Sequence, residues 1–105
     1  MTMTTHNKKR IEIMIESPAL SRVTDVLDDL ETTGYTVLPA LAGKGMAGNW
    51  RRDDAFGDAA QIVCVVCITD AKRVEKILKA LKDLVDRHIG IVSVADVTVI
   101  RAEHF

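Results

Sequence analysis

Several features that often reveal a protein's class are scarce in this 105-residue sequence. Aromatic residues make up 4%, and the formal net charge is −1 with a pI of about 6.3. A nearly neutral chain lacks the basic footprint of a nucleic-acid-binding domain, so we expect no nucleic-acid partner. No apolar run is long enough to cross a bilayer, and the polar residues 1–7 precede no apolar signal segment. We therefore expect a cytoplasmic protein without membrane insertion.

The sequence has only two cysteines, Cys64 and Cys67. They lie in a strand-like run, where residues three apart point to opposite faces. Their Cα atoms would then be about 10 Å apart by strand rise, beyond the roughly 7 Å that a disulfide spans. We expect both to act as small hydrophobic residues rather than as a redox or metal pair.

Metal-binding and catalytic patterns are also missing from the sequence. His6, His88 and His104 are scattered, without the spacing of a zinc site. No serine has a neighbouring histidine that could serve as its base. We therefore predict no metal site, no catalytic residue and no enzyme activity.

Hydrophobic residues, in contrast, are abundant at 48%, and their spacing predicts the order of the elements. Residues 9–16 alternate between apolar and polar, as a half-buried strand does. Two amphipathic helices are predicted, the first capped by Ser21 and the second by Asp70. Further strands are predicted at residues 35–41, 60–69 and 91–100. Residues 1–8 are predicted to be a disordered tail and residues 9–105 a single domain.

This order is β-α-β-β-α-β, an α+β fold of the ferredoxin-like type. Pro39 favours an edge position or a bulge for the second strand, since proline cannot donate a ladder hydrogen bond. Two helices cover only one face of four strands, yet the third and fourth strands are apolar on both faces. The pattern therefore predicts a homo-oligomer in which another subunit covers the second face.

Residues 42–59 fit neither a helical nor a strand period, which predicts a long loop. Four of the six glycines are here, at 43, 45, 48 and 57. Loops of this length inside a small domain are usually functional or disordered. The glycine spacing matches a dinucleotide fingerprint, but no helix follows it, so we reject a Rossmann domain.

The composition of this loop suggests two roles. Glycines allow backbone N–H groups to approach an anion, and Lys44 adds positive charge. We expect the base of the loop to bind an anionic ligand and its tip to present a partner-binding segment. A purely structural glycine-rich turn is the alternative that the residues leave open. The partner-binding segment is predicted to comprise Asn49, Trp50, Arg51 and Arg52.

Four short motifs, in order, resemble segments of the PII signalling superfamily. They are Gly34-Tyr-Thr-Val37 at the second strand, Gly43-Lys-Gly45 at the start of the T-loop, Gln61-Ile-Val63 in the third strand and Val99-Ile-Arg101 in the last. The resemblance runs from about residue 9 onward. It implies a homotrimer that binds an adenine nucleotide between subunits and regulates a partner through its T-loop, residues 42–59.

The departures from the family refine this expectation. Met46 and Ala47 stand where classical members carry Gly-Arg-Gln, which argues against 2-oxoglutarate sensing. The short segment 86–90 replaces the lysine-rich B-loop, which favours ADP, AMP or cyclic AMP over ATP. The chain is most similar to the PII-like branch that includes SbtB and the carboxysome-associated PII proteins. Bicarbonate is therefore a candidate ligand, and a membrane transporter or carboxysome-related protein in inorganic-carbon or nitrogen metabolism a candidate partner.

The resemblance also implies which residues contact the nucleotide, as an effector rather than a cofactor. Backbone at the loop glycines would wrap the phosphate, and basic side chains would neutralise it. Each of these residues also has an explanation that needs no ligand. Some are ordinary strand residues, and a histidine at a helix C-terminus interacts favourably with the helix dipole. A CutA-like trimer linked to divalent-metal tolerance and a small ferredoxin-like enzyme or structural oligomer are the competing functions. The implied nucleotide site comprises Thr36, Gly43, Lys44, Gly45, Gln61, Val63, Arg87, His88, Gly90 and Arg101.

Overall fold

The computed structural model describes residues 3–32, 34–45, 48–51, 61–88 and 90–100. The predicted β-α-β-β-α-β order is confirmed, with a short β-hairpin inserted before the third strand of the main sheet. A 3-10 turn, Ser17–Ala19, joins the first strand to the first helix. The elements are β1 (His6–Glu16), α1 (Leu20–Asp29), β2 (Thr36–Pro39), β3 (Ala42–Gly45), β4 (Gly48–Arg51), β5 (Ile62–Thr69), α2 (Ala71–Arg87) and β6 (Gly90–Val99).

The main sheet has the order β2-β5-β1-β6, and its neighbouring strands are all antiparallel. β2 is an edge strand, as Pro39 predicted. Alternate residues of β1 and β5 point towards the two helices, and Ile13 lies opposite Val65 at the centre of this face. The buried hydrophobic core consists of Ile11, Ile13, Ile15, Ala19, Val23, Leu27, Val63, Val65, Cys67, Ile77 and Leu81.

The opposite face of the sheet, called here the open face, is covered by neither α1 nor α2. Residues 62, 64, 66 and 68 of β5 point to it and are half-buried. Leu38 is 47% exposed and Ile91 63% exposed, and both lie on this face by their register with Cys64 and Met14. The second apolar face predicted from the sequence is therefore present in the fold.

The two cysteines lie on opposite faces of β5, as predicted. Cys67 is in the core and Cys64 is half-buried on the open face, and both are free thiols. Burial raises the pKa of both thiols, and the Glu12 carboxylate beside Cys64 raises the pKa of that thiol further. Both groups are therefore protonated at neutral pH and pack as small hydrophobic residues.

Two predictions about element ends were wrong, and a third was confirmed in position only. β1 begins at His6, inside the segment expected to be a tail, because His6 pairs with Val99 of β6. Ser21 does not cap α1, since the 3-10 turn moves the start of the helical path upstream and leaves Ala19 at the N-cap. Asp70 is the N-cap residue of α2 but makes no side-chain capping bond there. Its carboxylate instead accepts a hydrogen bond from the Lys8 ammonium group.

The prediction that residues 42–59 lack regular structure was also wrong for the first part of that segment. β3 and β4 form an antiparallel hairpin in which Gly43 pairs with Trp50 and Gly45 with Gly48. Pairing of this kind uses backbone groups and needs no alternation of hydropathy, so the periodicity of the sequence does not reveal it. Residues 46, 47 and 52–59 lie outside the described residues.

Gly90 provides a test of how closely β6 approaches β1. A Cβ atom at this position would lie 3.0 Å from the Met14 carbonyl oxygen and 3.2 Å from Ile15 Cγ1. We expect Gly90→Ala to lower the free energy of unfolding by about 1–3 kcal/mol, because backbone of a central strand cannot move aside cheaply. The measurement is urea denaturation at a fixed protein concentration.

Gly45→Ala is the matched control for this test. A Cβ atom there would meet nothing within 4 Å, so the free energy of unfolding should change by no more than about 0.5 kcal/mol. Equal stability of the two variants would contradict the close packing at Gly90.

Candidate functional site

One end of the main sheet gathers most of the residues expected to contact the ligand. β1 and β2 end there, while β5 and β6 begin there. The hairpin of β3 and β4 follows β2 directly, and the end of α2 leads into β6. Gln61, Val63, His88 and Gly90 are therefore brought together although the chain separates them widely. We call this region the convergent end.

Backbone hydrogen bonds hold the convergent end together. The Ser17 amide donates to the Gln61 carbonyl oxygen at 2.9 Å, and the Ala40 amide donates to the Ile62 carbonyl oxygen at 3.0 Å. The start of β5 is thus attached to the chain that leaves β1 and to the chain that enters the hairpin. A ligand contacting Gln61 is therefore next to the base of the T-loop.

His88, at the C-cap of α2, makes two side-chain contacts at this end. Its Nδ1 lies 2.9 Å from Glu16 Oε1, and its Nε2 lies 3.2 Å from Arg22 Nη1. An arginine nitrogen can only donate, so Nε2 must accept from Arg22 and Nδ1 must carry the proton that is donated to Glu16. His88 therefore connects β1, α1 and α2.

Glu16 and Arg22 were not among the predicted site residues. Glu16 is the last residue of an alternating strand, and Arg22 is an exposed residue of an amphipathic helix, so each has an ordinary local explanation. Neither hydropathy nor spacing relates them to His88, which is 72 residues from Glu16 and 66 from Arg22. Only the folded chain shows that the three side chains form a group.

The other predicted site residues do not all present a side chain at the convergent end. Val63 is 7% exposed and belongs to the core, so only its backbone is available to a ligand. Arg87 is exposed at the last position of α2. Thr36 lies away from the convergent end, because it pairs with Val66 in the second half of β5. Arg101 lies outside the described residues.

The hairpin places the T-loop residues in defined pairs. Lys44 pairs with Asn49, and both are exposed. Gly48 has a φ of 110°, in the region that favours glycine, whereas Gly45 does not have a positive φ. The glycine whose backbone freedom this turn requires is therefore Gly48 rather than Gly45. Arg51 is exposed at the end of β4, and Arg52 lies outside the described residues.

The described residues contain neither a metal-binding cluster nor a membrane-spanning helix. Within the described ranges, no group of three or more His, Cys, Asp or Glu side chains is placed to hold a metal ion. No helix in that same part of the chain is long and apolar enough to span a membrane.

Comparison with known proteins identifies the family. The sequence profile described as nitrogen regulatory protein P-II matches residues 8–104. The chain belongs to this family. No curated protein sequence matches it. Membership favours a PII-like regulatory protein over the CutA-like alternative.

Solved structures of PII-like proteins cover nearly the whole chain. CPII, a nitrogen regulatory PII-like protein from Thiomonas intermedia K12 bound to ADP, AMP and bicarbonate, has a TM-score of 0.89 and 26% identity over 99% of this chain and 98% of its own. CPII bound to ADP and bicarbonate has a TM-score of 0.86 and 27% identity, with 99% of each chain covered. A protein of Thermus thermophilus described as PII-like and signalling has a TM-score of 0.82 and 25% identity over 98% and 99% of the two chains. The fold at the convergent end is therefore that of PII-like proteins.

The His88 contacts lead to a prediction about stability. His88→Ala removes one hydrogen-bond partner of Glu16, whose side chain is 16% exposed. A hydrogen bond to a charged group contributes about 1.5–3 kcal/mol, and we expect a loss of that size in the free energy of unfolding. Chemical denaturation measures it.

Lys82→Ala is the control, since it removes an exposed ion pair with Asp86 on the same helix. We expect little change in stability, because exposed pairs contribute little. A His88→Ala variant as stable as this control would show that the contacts between β1, α1 and α2 are not needed to hold the convergent end.

Proposed function

We propose that this PII-like protein binds ADP or AMP in a cleft between subunits and that binding changes the conformation of the T-loop. The observation that carries the proposal is the convergent end, where Gln61, His88 and Gly90 meet the chain entering the hairpin. The similarity of the whole chain to CPII bound to ADP, AMP and bicarbonate supports the choice of ligand.

The position of Thr36 supports a site shared between subunits. Thr36 lies opposite Val66, and Val66 is roughly 16 Å along β5 from Gln61 by strand rise. Because Thr36 lies on the open face, a subunit that covers this face would meet it. We assign Thr36 to the cleft formed with the neighbouring subunit. The homotrimer itself is proposed from the apolar open face together with the family resemblance.

The ligand's phosphate groups would be neutralised by basic residues. Lys44 and Arg87 are exposed near the convergent end. Arg101 follows β6 at the opposite end of the sheet, so it would reach the phosphate from a neighbouring subunit. Arginine can contact a phosphate through two N–H groups at once, which suits it to this role. Backbone groups of the Gln61–Val63 segment would form hydrogen bonds with the adenine base, because the Val63 side chain is in the core and cannot contact it. Gly43 and Gly45 leave the hairpin backbone accessible to the phosphate.

The regulatory output is proposed to come from the T-loop. A ligand shifts a conformational equilibrium only if it contacts the two states differently, and a site at the hairpin base would do so. Asn49, Trp50, Arg51 and Arg52 would then contact or release a protein partner, such as a transporter or a carboxysome-related protein. Bicarbonate is proposed as a second, small anionic ligand. The protein would act as a cytoplasmic or carboxysome-associated switch without catalytic turnover.

Titration calorimetry tests the choice of ligand. ADP, AMP, ATP and cyclic AMP are each titrated into the protein with and without bicarbonate. We expect ADP or AMP to bind more tightly than ATP, because the segment 86–90 has no lysine. Absence of binding by all four nucleotides would contradict the proposed function.

Arg101→Ala tests the phosphate contact. A charge-assisted hydrogen bond contributes about 1.5–3 kcal/mol, so the dissociation constant for ADP should rise at least roughly tenfold while the oligomer remains intact. Lys79→Ala, on the exposed face of α2, should leave the dissociation constant unchanged. If the two variants bind ADP with equal affinity, Arg101 does not contact the phosphate.

Trp50 reports on the T-loop, because it is the only tryptophan in the chain and pairs with Gly43 in the hairpin. If nucleotide binding rearranges this segment, the fluorescence of Trp50 should change with the same dissociation constant that calorimetry gives. Proteolysis between residues 44 and 52 should slow in parallel. Nucleotide binding that alters neither signal would show that the loop does not respond to the ligand.

A further inference from the structure

The charged residues of the open face are concentrated on one central strand. Alternate residues of β1 point to this face, while the facing positions of β5 and β6 are apolar or small. Lys8 is paired with Asp70, and Glu16 is paired with His88. Arg10 and Glu12 remain between these two pairs, in the middle of the strand.

Arg10 and Glu12 make only a weak contact with each other. Arg10 Nη2 lies 3.4 Å from Glu12 Oε2, which is at the long end for a hydrogen bond. Arg10 Nε is buried and has no hydrogen-bond partner within the described part of the chain. The two side chains are 43% and 36% exposed, so water still reaches most of the charged groups.

The neighbours of this pair offer little compensation on the same subunit. Arg10 lies opposite Ile68 of β5 and Ala95 of β6, and Glu12 lies opposite Val66 of β5 and Ser93 of β6. The Cys64 thiol lies beside the Glu12 carboxylate, and a thiol and a serine hydroxyl can each donate at most one hydrogen bond. Neither cross-strand neighbour of Arg10 has a side-chain acceptor, so the subunit alone does not replace the water around the guanidinium group.

Covering the open face with another subunit would remove that water. A buried charge without a partner is strongly unfavourable, so the covering surface must supply an acceptor to Arg10 and a donor to Glu12. A second copy of the same face carries one of each, two residues apart on a single strand. The open face is therefore complementary in charge to itself, and a purely apolar partner would not be.

We propose that Arg10 of one subunit pairs with Glu12 of the next in the assembled protein. The proposal depends on the assembly through the open face that is part of the proposed function. In a ring of identical subunits, each interface repeats the same contact, so every Arg10 and every Glu12 obtains a partner. The pair selects copies of this chain over other apolar surfaces, because a surface without the matching charges leaves both groups unpaired.

Two single charge reversals test this pairing. Arg10→Glu places acidic groups at both positions 10 and 12 of each subunit, and Glu12→Arg places basic groups at both. Either variant alone brings like charges together, and its oligomer should dissociate at concentrations where the wild-type oligomer is intact. We expect the dissociation constant to rise at least roughly tenfold, measured by analytical ultracentrifugation. Lys79→Glu, on the exposed face of α2, is the control and should assemble as the wild type does.

Mixing the two variants separates a contact between subunits from a contact within one. If Arg10 and Glu12 pair across the interface, an equimolar mixture should form oligomers containing both variants, detected by native mass spectrometry with one variant labelled by isotope. In a mixed trimer two of the three interfaces carry opposite charges, whereas none does in either variant alone. A contact confined to one chain is lost in both variants, so mixing would restore nothing, and that result would overturn the proposal. Full assembly of each variant alone would overturn it as well.

Circular dichroism establishes that each reversal variant is folded. If either is not, Arg10→Gln, Glu12→Gln and the double variant form a double-mutant cycle on the dissociation constant. Absence of coupling in that cycle would then overturn the proposal. If the wild-type protein is monomeric at micromolar concentration, the proposed oligomer does not form and the pairing between subunits is overturned with it. If the protein binds nucleotide but the charge variants assemble as the wild type does, the proposed nucleotide binding stands and the proposed pairing is wrong.

Discussion

Two helices cover one face of a four-stranded sheet, and the other features of this structure depend on that one-sided arrangement. Ile11, Ile13 and Ile15 pack beneath the helices. Because strand residues alternate, Arg10, Glu12 and Met14 must then point to the opposite face. The alternation that builds the core thus places charged groups at the centre of an otherwise apolar surface. A surface of this kind is suited to self-association and poorly suited to permanent exposure.

Antiparallel pairing explains why the candidate site lies at one end of the sheet. Two strands end where two others begin, so segments far apart in the chain meet there. The hairpin that starts the T-loop is inserted at the same end. Hydrogen bonds attach the start of β5 to the turn after β1 through Ser17, and to the chain entering the hairpin through Ala40. A ligand at this position would be close to the segment proposed to contact a partner.

β2 connects the two functional surfaces. It contributes Thr36 and Leu38 to the open face and continues directly into the hairpin. It is only four residues long and pairs with a single strand, so few hydrogen bonds oppose its displacement. Association between subunits and the conformation of the T-loop therefore share one short edge strand. This arrangement gives a physical route by which a ligand between subunits could alter the loop.

The sequence by itself determined the element order, the edge position of β2, the opposite faces of Cys64 and Cys67, and the apolar open face. These features follow from local periodicity and from the backbone chemistry of proline, which do not depend on distant residues. The family resemblance added a regulatory function, and membership of the P-II family agrees with it. Only the tertiary structure decided where β1 begins and that β3 and β4 form a hairpin. It also decided that the Asp70 carboxylate binds Lys8 instead of making a capping hydrogen bond at the start of α2. Only it brought Glu16 and Arg22 to His88 and left Arg10 Nε without a partner in the described part of the chain. Each of these depends on backbone pairing or on contacts between residues far apart in the chain, and hydropathy carries no information about either.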